Sequence, residues 1–266
     1  MKIVMQADDF GRSHEMNLAI DCAMKQGLVR STALLMGSEF TREAVEMAQQ
    51  GGYLRHVHCH LNLSSGKTSG NHFVPLNENY KKSRFCKNGE FSGYNYYKPD
   101  FAKYSDVFLQ ELETQFLQFR ELTGGQANYN HLDVHRWVNL SPPVDLAYRK
   151  LIRKYDVASA RFFGEHQKSQ TSLKKKLFYS MMFFNIKREK QYVMKSSKVP
   201  YFLQCPDQFA GDSIVELYVH PDYQNGVLVD ATTSPFEKNA PFKPLEEQIR
   251  LIREAGHTEF LSWEDL

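Results

Sequence analysis

The sequence predicts a single α/β domain, residues 1–266, in which strands alternate with helices around a parallel sheet or barrel. Three observations carry this. Short apolar or strictly alternating runs take turns with helical patterns along the chain, as βα units require. The 266 residues, 42% hydrophobic and 13% aromatic, suffice for one large core. No Pro-, Ser- or Gly-rich linker divides the chain in half.

The elements follow in order. Ile3 to Ala7 reads as a short buried strand running into Asp8-Asp9-Phe10-Gly11. A helical pattern comes next, with Met16, Leu18, Ala19, Cys22 and Ala23 on one face, closed by Gly27. Ser31 to Met36 is a second strand and Arg42 to Gln50 a second helix, ending at Gly51-Gly52. His56 to Leu63 alternates and predicts a third strand. Asp106 to Leu122 is a long amphipathic helix closed by Gly124-Gly125, and Tyr129 to His135 is another strand. A helix starts at Pro142-Pro143 and runs to about Lys154. Val215 to His220 is a late strand, Pro244 to Glu254 the last long helix, and Glu259 to Trp263 the last strand.

Two inserts interrupt the rhythm. Residues 64–100 are rich in glycine, lysine and aromatics (Phe73, Tyr80, Phe85, Phe91, Tyr94, Tyr96, Tyr97), a composition that suits stacking on sugar rings as well as packing of the insert onto the domain. Residues 172–198 are basic and aromatic, with Lys174, Lys175, Lys176, Lys187, Arg188, Lys190 and Lys195. The net charge of +2, from 33 basic and 31 acidic residues, announces no polyanionic partner, so no nucleic acid is expected. Cys22, Cys59, Cys86 and Cys205 are scattered and read as reduced thiols. The N-terminal apolar run stops at two aspartates, too short for a secretory signal, and no stretch approaches the roughly 20 apolar residues of a membrane span. A cytoplasmic protein without a membrane partner is expected; a homodimer is left open.

Chemistry gathers at strand ends. Residues two apart share one face of a strand. His131, Asp133 and His135 therefore stand together, as do His56, His58 and His60, and Glu216, Tyr218 and His220. The first strand ends in Asp8 and Asp9, which point to opposite sides if the strand runs through them. One can then bind a metal while the other serves as general base. In α/β barrels active sites are built at the C-terminal ends of the strands. Buried carboxylates clustered with imidazoles imply a cation or a dense hydrogen-bond network. Arg161, after another candidate strand, suits an acidic or acetamido group, and His131 and Asp133 are candidates for substrate contact or for supporting the ligands.

The chain resembles the YdjC-like carbohydrate deacetylases, the family that contains the chitooligosaccharide deacetylases. The resemblance rests on Ala7-Asp8-Asp9-Phe10-Gly11-Arg12-Ser13 with Asn17, Gly27-Leu28-Val29-Arg30-Ser31-Thr32, His60-Leu61-Asn62-Leu63 with Gly66, His131-Leu132-Asp133-Val134-His135, His220-Pro221, and the ending from Ala255-Gly256-His257 to Asp265-Leu266. It implies a distorted (β/α) TIM-like barrel related to the polysaccharide deacetylases. It also implies a hydrolase that removes N-acetyl groups from amino sugars or oligosaccharides, with or without phosphate on the sugar. One divalent metal ion, zinc or magnesium, would be held by Asp9, His60 and His135. Asp8 would be the base that activates water, and His220 would stand near the reacting acetyl group. Two imidazoles and a carboxylate suit zinc better than magnesium. One departure is Trp137, where relatives commonly carry a further histidine. Another metal hydrolase on the same scaffold, such as a phosphoesterase, is the alternative, since fold and ligands do not determine the scissile bond.

Overall fold

The computed structural model describes residues 1–64, 72–92, 104–161, 192–193, 195–209, 214–232, 241–257 and 259–266. Along the chain run β1 (Lys2–Phe10), α1 (His14–Lys25), β2 (Ser31–Leu35), α2 (Thr41–Gln50), β3 (Val57–Leu61), α3 (Glu78–Lys81), β4 (Cys86–Lys87), β5 (Glu90–Phe91), α4 (Ser105–Leu122) and β6 (His131–Val134). Then come α5 (Pro142–Lys154), β7 (Ser159–Ala160), β8 (Tyr192–Val193), β9 (Lys195–Lys198), α6 (Val199–Gln204), β10 (Ile214–Val219), β11 (Pro221–Gln224), β12 (Val227–Asp230), α7 (Leu245–Glu254) and β13 (Phe260–Leu261).

The main sheet has the order β8-β7-β6-β3-β2-β1-β10-β9, and β13 fills the edge of β1 at Ile3 and Val4. Every pair in it is parallel. All strand C-termini therefore open toward one end of the sheet. β8 and β9 stand at opposite ends of this order yet are separated in sequence by one residue, so the sheet curls strongly.

Two apolar layers hold it. Ile3, Met5 and Ala7 of β1 join the main core beneath the helices, while Val4 and Trp263 form a small cluster with Ile214 and Leu261. Alternation along β1 thus puts the larger core on one face and Val4, Gln6 and Asp8 on the other. The stripe of α1 is turned from the expected one. Met16, Asn17, Ala19, Ile20 and Ala23 are buried, and Leu18 is 42% exposed. Asn17 is drawn inward by hydrogen bonds to the Gly11 N–H, the Phe40 carbonyl and Glu43, which rotates the helix. β3 begins at Val57, and His56 sits in the preceding helical turn, so only His58 and His60 share its inner face.

The first insert is packed through its rings. Phe73, Tyr80, Phe85 and Phe91 are buried, with Tyr80 and Phe85 against Phe108 of α4. These rings serve packing and are not available for stacking on sugar; Tyr94, Tyr96 and Tyr97 lie outside the described residues, as do 172–191 of the second insert. Buried Glu111 accepts the backbone N–H groups of Leu76 and Asn77, and Gln115 binds both the N–H and the carbonyl of Asn62 just beyond β3. The insert also returns against Gly37, whose φ is +81° and whose carbonyl accepts Val74 N–H at 2.9 Å. A Cβ there would stand 2.4 Å from the Val74 carbonyl oxygen. Gly37→Ala should cost at least about 2 kcal/mol and lower the melting temperature by roughly 4 °C or more. Unchanged thermal unfolding would show that this contact does not hold the insert.

Two hairpins, β4–β5 and β11–β12, were not anticipated. Both turn through Asn-Gly pairs with positive φ, Asn88-Gly89 and Asn225-Gly226. That dipeptide is the strongest short-range hairpin signal.

Candidate active site

β1 delivers its two carboxylates unexpectedly. The register with β2 shifts between Ala7 and Phe10, and Asp9 adopts φ +72°. A bulge of this kind adds a residue and re-aims a side chain. Asp8 and Asp9 therefore line the same cavity, and the expectation that they point to opposite sides is overturned. Left-handed backbone costs an aspartate roughly 1–3 kcal/mol, so the neighbours must over-determine the conformation.

Those neighbours converge on one oxygen. Oδ1 of Asp9 lies 2.7 Å from Nδ1 of His135 and 3.4 Å from Nε2 of His60. It is buried and makes no hydrogen bond of proper geometry. Oδ2 accepts from Arg12 Nη1 at 2.8 Å. The imidazole of His60 is aimed by Asp133, whose Oδ1 is 2.5 Å from Nδ1, leaving Nε2 toward Asp9. One ligand atom from each of Asp9, His60 and His135 lies within 4.8 Å of the others, so the three could hold a metal ion. A carboxylate behind a ligating histidine is the usual way its ring orientation is set. The orphaned Asp9 oxygen between two imidazole nitrogens fits such an ion.

Charge is distributed unevenly among them. Burial opposes ionisation of Asp9, but His135 and His60 hold its carboxyl well below the ordinary range. Burial likewise opposes a proton on His60, yet Asp133, Asp9 and Asp8 raise its pKa to about 10. Burial dominates at His135 and lowers its pKa. At pH 7 the metal-free protein therefore carries a proton on His60 that a cation must displace. Adding zinc should release about one proton per ion, with affinity rising with pH up to the His60 value of about 10. Calorimetry in buffers of different ionisation heat measures this; binding without proton release would remove His60 from the ligand set.

Asp8 stands beside this group in a buried ionic network. Arg161, 2% exposed, donates from Nη1 to Asp8 Oδ2 at 2.6 Å and from Nη2 to Asp8 Oδ1 at 3.1 Å. Its Nε reaches both oxygens of Glu216, at 3.0 and 2.9 Å, and Nη2 lies 3.2 Å from Asp133. Ser196 donates to Glu216 as well. Burial would raise the Asp8 pKa, but Arg161 and His60 bring it below the ordinary value; at Glu216 burial prevails and raises it. Arg161 therefore lies behind Asp8, with its guanidinium occupied by three carboxylates.

A second cluster, His58, His131 and Asp133, also brings potential ligand atoms together. The donors argue for a hydrogen-bond network there. Asp133 Oδ1 serves His60, while Oδ2 accepts from Gln6 at 2.7 Å and faces His58 and Arg161, each at 3.2 Å. A dication there would compete with the guanidinium. His131 is stacked on Trp263, with ring centroids 3.5 Å apart, and its Nδ1 meets Ser159 Oγ at 2.9 Å. It does not line the cavity.

His220 enters from the far side. Its Nδ1 is 2.8 Å from Thr232 Oγ1, and its backbone N–H donates to Asp230, which also accepts from Thr232. The β11–β12 hairpin thus fixes the ring. The cavity, about 650 Å³, is lined by Asp8, Asp9, His60, His135, Arg161 and His220, with Arg12, Arg136 and Lys198 among the other side chains. Gln6 and Thr232 escaped the sequence reading, and Arg12 and Glu216 were noticed without a role. Gln6, a lone amide in an apolar strand two residues before Asp8, was a usable signal; Thr232 had none. The side chain of Trp137 lies outside the described residues.

Fold and site together define an α/β protein whose parallel strands carry a buried carboxylate–imidazole group into an open cavity, a layout suited to hydrolysis. The chain belongs to the YdjC-like protein family, whose model matches residues 2–257. It is 23% identical to a carbohydrate deacetylase of Clostridium beijerinckii over the whole of both chains. It is 25% identical to a carbohydrate deacetylase of Vibrio parahaemolyticus, covering 97% of this chain and 92% of that one. A mouse carbohydrate deacetylase is 30% identical over 62% of this chain and 51% of its own. Among solved structures, an Enterococcus faecalis protein described as a cellobiose-phosphate cleavage protein shares the fold, with a TM-score of 0.67 at 19% identity over 99% of this chain and 98% of that one. No helix among the described residues is long and apolar enough to cross a membrane.

Proposed function

We propose that this protein is a metal-dependent carbohydrate deacetylase, hydrolysing the N-acetyl groups of amino sugars or chitooligosaccharide-like oligomers. The observation that carries this is Asp9 Oδ1, buried between His60 and His135 without a hydrogen bond of proper geometry, beside an Asp8 that Arg161 keeps ionised. Asp9, His60 and His135 would hold one divalent ion, zinc in preference to magnesium because two of three donors are imidazoles. When bound, that ion would polarise the acetyl carbonyl and lower the pKa of water. Asp8 takes the proton from the attacking water, and its pair with Arg161 aims the carboxylate across the cavity. His220, with Nδ1 committed to Thr232, has Nε2 left to protonate the departing amine. Arg12, Arg136 and Lys198 around the cavity suit a substrate that carries a phosphate. The curl that brings β8 and β9 together supports a distorted barrel like that of the polysaccharide deacetylases.

Acetate release from N-acetylglucosamine oligomers, with and without a phosphate, tests the proposal. The zinc-loaded wild type should release acetate, and Asp8→Asn should lose roughly 10²–10⁴-fold in rate. Cleavage of phosphate esters with no acetate from any acetylated amino sugar would replace it with a phosphoesterase.

A further inference from the structure

We propose that Trp263, in the last turn of the chain, is a positioning residue that orients both Asp8 and Asp133 through the side-chain amide of Gln6. The inference rests on the deacetylase reading for its catalytic consequence, and on geometry alone for the contact.

Gln6 is fully buried, and its Nε2 donates to Asp8 Oδ1 and to Asp133 Oδ2, both at 2.7 Å. Its Oε1 accepts from the Trp263 indole Nε1 at 2.5 Å. An indole N–H only donates, so it must face an oxygen. This selects one of the two orientations of the Gln6 amide. In the selected one, both amide protons point at carboxylates; in the other, the amide oxygen would face two negative groups and the NH₂ would face the indole N–H. One of those carboxylates is the proposed base, and the other aims His60. A single donor at the end of the chain therefore sets two partners of the site.

Trp263 is itself held firmly. It stacks on His131 at 3.5 Å with the rings 9° apart, and its backbone N–H donates to Ser31. A capping box between Ser262 and Asp265 shapes its turn. The competing role is simple packing, since Trp263 also closes the small cluster around Val4. Phenylalanine keeps a ring for packing and stacking but has no N–H, so it separates the two roles.

In Trp263→Phe, kcat should fall about tenfold, the equivalent of one buried hydrogen bond, with KM within about twofold. Zinc affinity should weaken by about tenfold, as when a group behind a ligand is lost. In a Gln6→Met background the same substitution should change neither quantity further, because the indole acts through that amide. Fluorescence-independent evidence comes from ¹⁵N-tryptophan labelling, which yields two indole resonances for the two tryptophans. The one absent from Trp263→Phe should be protected from exchange in the wild type and lose protection in Gln6→Met. Wild-type kcat and zinc affinity in Trp263→Phe, or losses that add independently to those of Gln6→Met, would overturn the proposal. If the wild type turns over no acetylated amino sugar, the deacetylase reading fails by itself; the zinc cycle and the indole resonance still decide whether Trp263 works through Gln6.

Discussion

Replacing either His60 or His135 with alanine should strip the protein of its divalent ion and abolish hydrolysis. Elemental analysis should find zinc falling from about one per chain to below about one tenth, and kcat/KM should drop at least roughly 10³-fold. The size follows from the donor set, since three ligands reduced to two leave a weak and mobile site. The fold should survive, because neither ring belongs to the apolar core, although His60→Ala also deprives buried Asp133 of a partner and should lower the melting temperature. His58→Ala is the informative companion. His58 lies on the same strand face as His60, but its Nε2 is directed to Asp133 Oδ2 at 3.2 Å. That variant should retain the ion with weaker affinity. Full metal occupancy in both His60→Ala and His135→Ala would refute the ligand assignment, and loss of the ion only in His58→Ala would move it to the deeper cluster.

Arg161→Met should be among the most destabilising single changes in the chain. It leaves Asp8, Glu216 and Asp133 buried around an apolar side chain. Breaking one side of a buried ion pair costs roughly 3–5 kcal/mol, which for a domain of this size lowers the melting temperature by roughly 6–20 °C. The pH dependence has a definite sign. In the wild type, Asp8 and Asp133 have lowered pKa values, so their contribution is present above the unfolded carboxylate value and is lost as pH falls through the folded one. Without the guanidinium, Asp8 loses its main counter-charge and burial pushes its pKa up, so an ionised Asp8 opposes folding until acid neutralises it, while Asp133 keeps His60 and His58 beside it. The deficit of Arg161→Met should therefore be larger at pH 7 than at pH 5. Thermal unfolding at the two pH values measures this, and a variant within about 2 °C of the wild type at pH 7 would show that Arg161 is not the counter-charge of the network.

Much of the architecture was legible because it is local. Ser31–Leu35, Thr41–Gln50, Pro142–Lys154 and Leu245–Glu254 lie within a residue or so of where alternation, helical spacing and proline placed them. The misses have physical causes. The stripe of α1 turned because a polar residue, Asn17, found buried partners that a hydrophobic pattern does not weigh. The hairpins were missed with their Asn-Gly signals in plain view. The aromatic insert was ambiguous because rings that pack a loop and rings that bind a sugar have the same composition. Only burial against α4 separates the two.

The sequence by itself determined which residue types stand at the strand ends, since period-two geometry puts His131 with Asp133, and His58 with His60, on one face; His135 was expected with them but stands one residue past β6, at the start of a helical turn. Only the tertiary structure decided which atoms meet. A bulge at Asp9, invisible to alternation, turned both β1 carboxylates into one cavity. Asp133, 73 residues beyond His60, set that ring's direction. Arg161, 153 residues from Asp8, proved to be its buried counter-charge. Trp263 reached Gln6 across 257 residues. Hydrogen bonds of this kind depend on distances of a few tenths of an ångström between groups that are remote in the chain. They are satisfied only after packing has closed, and no local pattern records them.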